Sequence, residues 1–561
     1  MTLAPASNAL GAVPQWQQRR GSARRAPRTP GATARPFHGR RSPAARRVQS
    51  RPPMPRSSVL LAALAAACAP AAGRATIPLG AHPAAVRLGY ERLHMPGGER
   101  PLALAEVAWL AELPAGLYAG PALLGAVGGE RGGFFVAGVE AGLRLGIAAG
   151  VGLDAGLLAG GGGGGSAPVG GGLMLRPRLA LTWSGRRDRL SVGIAHAVFP
   201  TGDLRSTQPF LAWERRFEAA YARAPLDPWT SQEAGPLRFS RTSLELRLAR
   251  YGHPAALGRL AGARTLPELD LVGAAAGFDV AGPLSLRVES TAAYGGGSGG
   301  YMEVLAGPAL RLGLGSAGAA VLAFTAGSGG GGGVPTGDGL LVKGAAGFEV
   351  RPAASLRAGI EAGAVAAPST SFRAVTLAVK VGWELELAGP PADVGGDGAA
   401  LGRGEAIAVS WRLRPSVQRY ATSQRRSDAE RAPPVDQLAF KADLLLSRTI
   451  YLTAQSGWAF AGGAGAWATG LLGAGIESPS WRRQRLGIEL LAGAGGGGGI
   501  STEGGALLHA SVSWLLELTP RLGIQLAAGR ARAVGGRFDS LVLDGGVVFR
   551  GASLARAAGR S

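Results

Sequence analysis

The chain is poor in several things, and each shortage excludes a class of protein. It has one cysteine, Cys68, in 561 residues, so no disulfide framework can hold it. Aromatic residues make up only 6%. No run of about 18 uncharged apolar residues recurs along the sequence, which argues against a bundle of membrane-spanning helices. Acidic residues are absent from positions 1–53, where eleven arginines supply half of the net charge of +22. The remaining excess is spread thinly, without the basic stripe or motif that nucleic-acid binding needs.

Glycine is abundant, at 93 residues, but it shows no G-X-Y period, so the chain is not collagen-like. Hydrophobic residues at 46% exclude a disordered chain. The front of the sequence reads as an export signal. Met54-Pro55-Arg56-Ser57-Ser58 is a short basic region and Val59–Ala67 an apolar stretch too short to span a bilayer. Gly73-Arg74-Ala75 supplies a small-x-small cleavage site, giving a signal peptide over 54–75. Ala65-Ala66-Ala67-Cys68 resembles a lipobox but lacks the leucine three residues before the cysteine. Residues 1–53 read as a basic extension outside the mature protein.

Internal repetition is the strongest signal. Glycine runs occur at Gly160–Gly165, Gly329–Gly333 and Gly495–Gly499, in segments that open at Ala159-Gly160, Ala326-Gly327 and Ala492-Gly493, spaced by 167 and 166 residues. Their flanks keep the same phase. Phe134-Phe135, Tyr301-Met302 and Trp467-Ala468 precede them, and Arg189–Ile194, Ser355–Ile360 and Arg521–Leu526 follow. Three units are expected at 83–240, 241–402 and 403–551, with a tail over 552–561. No phosphate-binding G-x-x-x-x-G-K-[ST] motif accompanies the glycine runs, which read as flexible loops.

Within each unit, apolar and small or polar residues alternate with period two, as in a two-faced strand. Ile407, Val409, Trp411 and Leu413 lie on one face of Ala406–Arg414, with Ala408, Ser410 and Arg412 on the other. The first unit divides into eight such strands, near 84–94, 101–112, 116–126, 134–144, 147–159, 171–183, 189–199 and 205–217. About ten residues is the length that a tilted strand needs to cross a bilayer. Short turns alternate with longer loops, the habit of outer-membrane barrels. Each unit resembles the eight-stranded barrels of the OmpX/OmpW type, and Lys380–Leu387 resembles their polar-x-Gly-x-x-apolar-x-apolar terminal signal. The last strand departs from that signal at Gly551.

The expected fold is therefore all-β, an antiparallel up-and-down transmembrane β-barrel with three tandem repeats of about eight strands. Pro225 and Pro228 in 218–240, and Pro390 and Pro391 in 388–404, mark linkers and favour three small barrels. The alternative is one barrel of about 24 strands. The resemblance implies the outer membrane of a Gram-negative bacterium, with lipid and the insertion machinery as partners.

Charged residues on the small-residue face are the candidates for a site: Arg87 and Glu91, Glu245 and Arg247, Arg357 and Glu361, Lys380 and Glu384. Pointing into a lumen, they set ion selectivity or cross-link a closed interior, and the second role suits a narrow barrel. Trp109, Trp183, Trp383 and Trp411 are candidates for an interfacial girdle. No histidine pair has metal spacing and no catalytic arrangement recurs among the repeats. Neither a cofactor nor enzymatic activity is expected. The expected role is structural or surface-interacting, with a passive channel through a single wide barrel as the alternative.

Overall fold

A computed structural model describes residues 79–223, 225–252, 268–315, 318–353, 355–389, 402–427 and 433–557. The expected basic extension and signal peptide lie outside these residues. Among the described residues, apart from two single-turn 3-10 helices, the regular structure is antiparallel strand. No described helix is long and apolar enough to cross a membrane.

The first eight strands are β1 (Leu79–Leu93), β2 (Leu102–Glu112), β3 (Leu117–Gly128), β4 (Phe135–Ala148), β5 (Val151–Gly163), β6 (Met174–Ser184), β7 (Asp188–Val198) and β8 (Arg205–Ala222). Each pairs with the next, and β8 returns to β1 in a ladder from Leu79↔Ala222 to Glu91↔Phe210. The ring therefore closes within 79–222, which rules out a single 24-strand barrel and the wide channel that it would form. The physical reason lies in the closing ladder itself: with β1 paired on both edges, no strand edge is left to continue into the rest of the chain.

The second set comprises β9 (Ser231–Gly252), β10 (Leu269–Ala281), β11 (Leu284–Gly295), β12 (Met302–Gly313), β13 (Gly318–Gly330), β14 (Leu340–Val350), β15 (Leu356–Ala366) and β16 (Arg373–Gly389). The third comprises β17 (Gly402–Tyr420), β18 (Val435–Leu445), β19 (Ile450–Ala461), β20 (Ala468–Glu477), β21 (Gln484–Gly496), β22 (Ala506–Glu517), β23 (Leu522–Ala533) and β24 (Asp539–Ala557). β16 lies along β9 from Val375↔Gly252 to Gly389↔Arg238, and β24 along β17 from Ile407↔Ala555 to Tyr420↔Val542. Two short ladders, Leu385–Leu387 with Ala555–Ala557 and Gly402–Ile407 with Ser231–Leu237, also join the two sets into one hydrogen-bonded circuit.

These short ladders explain where the expected unit boundaries shift. Residues 231–237, assigned to the end of the first unit, open β9 because their partners lie on β17, far off in sequence. Residues 552–557, assigned to the tail, complete β24 against β16 and β17. Only 223–230 separates β8 from β9. That segment crosses the turn side of the third set, where Arg448 donates from Nε to Asp227 at 2.7 Å. The same carboxylate makes the exposed guanidinium hold its proton more tightly than usual.

Alternation sorts the side chains to two environments. Leu88, Leu179, Ile194, Leu248, Ile360 and Ile488 point outward and are about half exposed or more. Their inward neighbours are buried: Arg87, Arg178, Arg247 and Glu361 are all at most 5% exposed. An apolar outer wall around a polar interior inverts the usual soluble arrangement and suits a hydrocarbon surrounding.

The glycine runs differ from the flexible loops expected. Gly160–Gly163, Gly329–Gly330 and Gly495–Gly496 are the last residues of β5, β13 and β21, and most are buried.

Candidate functional site

Two layers fill each strand set. Beneath the loops lies an apolar cap. In the first set Leu93, Leu104, Leu124, Phe134 and Phe199 form it, with Phe134 and Phe199 edge to face at 6.1 Å. Tyr251, Leu271, Tyr301, Leu341 and Phe372 fill the same level of the second. In the third, Tyr420, Trp467, Ile500 and Phe538 do so, and the Trp467 and Phe538 rings lie 5.1 Å apart. Phe134, Tyr301 and Trp467 occupy the repeat phase noted in the sequence, each just before the first residue of its strand.

Toward the turn side, the cap gives way to buried ion pairs. Arg87 bonds Glu214 at 2.8 Å and also reaches Glu140. Arg178 lies 2.7 Å from Glu140 and 3.2 Å from Asp154, and Tyr118 donates to Asp154 at 2.8 Å. In the second set Arg247 and Arg287 meet Glu361 at 2.7 and 2.9 Å, while Lys343 meets Glu289 at 2.8 Å. In the third, Arg414 bridges Asp443 and Glu489 at 2.6 and 2.5 Å, and Lys441 reaches Asp544 at 2.9 Å. Buried charges of this kind are held by mutual pairing, and removing one partner strands the other.

All eight candidate residues face these interiors, but their partners differ from sequence neighbours. Arg87 and Glu91 do not pair with each other. Glu91 binds Arg176 at 2.8 Å and accepts from Gln208 at 2.9 Å. Arg247 has only a 3.7 Å approach to Glu245 against 2.7 Å to Glu361. Lys380 meets Glu349 at 2.5 Å, Glu361 at 3.4 Å and Glu245 at 3.7 Å, while Arg357 bonds Glu384. Glu140, Asp154, Arg178 and Glu214 were missed, although strand parity alone places them on the inner face. Position Arg176 of the first repeat corresponds to Lys343 and His509 in the others; His509 is buried with neither ring nitrogen hydrogen-bonded.

The second set keeps a cavity of about 80 Å³ near its turn side, lined by Arg241, Asp279, Arg311, Arg357, Lys380 and Glu384. No cluster of three or more metal-ligating side chains is present among the described residues. Of the girdle candidates, Trp109 and Trp183 are exposed on the outer wall, Trp383 and Trp411 half-buried there, and Trp213 joins them.

No protein-family profile matches this chain, and no curated protein matches it. Among solved structures, OccK5 (OpdH) of Pseudomonas aeruginosa is similar at 8% identity, over 85% of this chain and 99% of that one, with a TM-score of 0.21. A ferric enterobactin receptor (PfeA) mutant from Pseudomonas aeruginosa matches at 10% identity, 84% and 80% coverage, and a TM-score of 0.26. The siderophore receptor PirA from Acinetobacter baumannii matches at 9%, 85% and 81%, and 0.25. Scores this low fix no common arrangement, and no property of these proteins is carried over.

Proposed function

We propose that the chain is a non-enzymatic outer-membrane β-barrel protein of a Gram-negative bacterium, with three closed eight-strand barrels and a structural or surface-interaction role. The observation that carries this reading is the filling of each interior by an apolar cap above a layer of buried ion pairs. Support for three barrels comes from the closing ladders: β9–β16 runs over fifteen residue pairs, the competing β16–β24 ladder over three. Eight strands per ring, each long enough to span a bilayer, fit the likeness to OmpX/OmpW-type barrels. Outer-membrane lipid then covers the outer wall, and the outer-membrane insertion machinery delivers the chain. The candidate charges act as internal cross-links.

The deciding experiment combines two measurements. Engineered protease sites within 225–230 and 390–401 would be cut in the refolded protein, and each fragment tested for a compact, heat-sensitive band. Three such bands are expected; a third fragment that is never compact would favour a shared ring of sixteen strands. Planar-bilayer recordings of the whole protein are expected to be silent. A second reading, a narrow channel, is favoured only by the 80 Å³ cavity in the second set. Steady conductance abolished by substitutions there would establish it instead.

A further inference from the structure

The glycine runs and the glycines in the loops beside them have a use that loop flexibility does not explain. Gly132, between β3 and β4, donates its N–H to the Gly337 carbonyl between β13 and β14 at 2.8 Å. Gly299, between β11 and β12, donates to the Glu503 main-chain carbonyl between β21 and β22 at 2.9 Å. Gly465, between β19 and β20, donates to Gly170 between β5 and β6 at 3.1 Å. Donors and acceptors both recur at the repeat spacing of 167 and 166 residues. The first repeat thus contacts the second, the second the third, and the third the first. A head-to-tail contact that returns to its start after three steps generates a closed ring.

We infer that the glycine-rich strand ends form a cyclic seam that locks the three barrels into one rigid body about a pseudo-threefold axis. This deepens, and rests on, the three-barrel reading. Two further observations support it. Phe135, Met302 and Ala468, at equivalent positions in the three repeats, join one apolar cluster with Trp458 and Val304, outside all three interiors. The seam also leaves no room for a side chain. A Cβ on Gly132 would lie 2.7 Å from the Gly337 carbonyl oxygen, on Gly299 2.2 Å from that of Glu503, on Gly161 2.6 Å from that of Trp458, and on Gly496 2.3 Å from the Gly300 nitrogen. None of these four has the left-handed backbone that would itself demand glycine, so close backbone approach is the reason for them. The partner that each seam surface fits is the next repeat of the same chain, and all three surfaces are occupied.

The test uses the full chain carrying Cys68→Ser, Gly125→Cys and Ser328→Cys. Ser328 Oγ donates to the Ala126 carbonyl at 2.7 Å across the first seam, and a Cβ on the adjacent Gly125 would face the Ser328 Cβ at 2.7 Å, so a small outward shift brings the pair to disulfide spacing. Oxidation in the membrane is expected to join the first and second barrels, so that cutting within 225–230 separates them only after reduction. Adding Gly132→Val should lower the cross-linking yield about tenfold, the equilibrium factor for about 1.4 kcal/mol, while both fragments stay heat-modifiable. No disulfide, or a yield unchanged by Gly132→Val, with heat-modifiable fragments overturns the seam alone. Loss of heat-modifiable fragments in the parent overturns the three-barrel reading instead. Should the double-cysteine chain not refold, spin labels at Arg100→Cys and Pro368→Cys, both exposed, replace it. One narrow distance supports a rigid seam; a broad distribution refutes it.

Discussion

Arg87 on β1 and Glu214 on β8 stand directly opposite each other in the ladder that closes the first ring, with Arg87 Nε donating to Glu214 at 2.8 Å. Glu214 also takes Arg144 and Arg189, each at 2.9 Å, so one carboxylate ties β8 to β1, β4 and β7. Closure of the wall and filling of the interior meet at this pair.

Arg87→Met leaves Glu214 to Arg144 and Arg189, and Glu140 to Arg178, in a buried cluster that is short of one cation. Loss of about 3–5 kcal/mol is expected, the usual cost of breaking a buried pair. Urea unfolding in lipid vesicles would report it as a lower midpoint. Adding Glu214→Gln should recover part of the loss, because the interior, short of one cation, then carries one uncompensated carboxylate fewer, although Arg144 and Arg189 lose their shared partner. A double variant no more stable than Arg87→Met would mean that the pair does not carry the effect.

Outside the wall the rule reverses. Ile194 on β7 is 61% exposed, and Ile194→Arg is expected to cost about 2–4 kcal/mol at mid-membrane depth. Ile194→Leu should be nearly neutral in the same vesicles. Equal behaviour of the two variants would argue that hydrocarbon does not face this position.

Conductance should require the loss of two layers. In the second set, Tyr251→Ala with Tyr301→Ala removes cap residues, and Arg287→Ala with Lys380→Ala thins the ion-pair layer. Either pair alone is expected to remain silent in bilayer recordings, and all four together to give discrete steps, provided the protein still shows its heat-sensitive band. Steps from the cap variant alone would show that the charged layer does not block ions.

Trp109, Trp183 and Trp213 should lie at a membrane interface. Their fluorescence is expected to be quenched more by lipids brominated near the headgroup than by lipids brominated near the chain end. The opposite order would place these rings at the bilayer centre.

Much of this architecture is legible along the chain because strand structure is local. Period-two alternation located all eight strands of the first unit, with β4 and β5 running a few residues beyond the expected turn. It also put Arg87, Glu245 and Lys380 on inner faces. The pairing of those charges was not legible, since Arg87 finds Glu214 only after seven strands have set the register. The starting segment of β9 was hidden for a similar reason: Ser231 pairs with Ile407, well over a hundred residues away. Glycine misled most. Its local meaning is freedom, but its meaning in Gly161 and Gly496, both in runs read as loops, is the absence of a side chain facing another repeat.

Because the seam joins different segments within one gene product, its three copies can drift independently. In three identical subunits a single codon change would strike every contact at once. Here the accepting residues already differ in type, Gly170 and Gly337 in two contacts and Glu503 in the third, though each accepts through its main-chain carbonyl. Compensation for a change at Gly170 must be sought near Gly465, in the third repeat, rather than in its own. Heredity in this chain should therefore couple the beginning of each repeat to the middle of its neighbour.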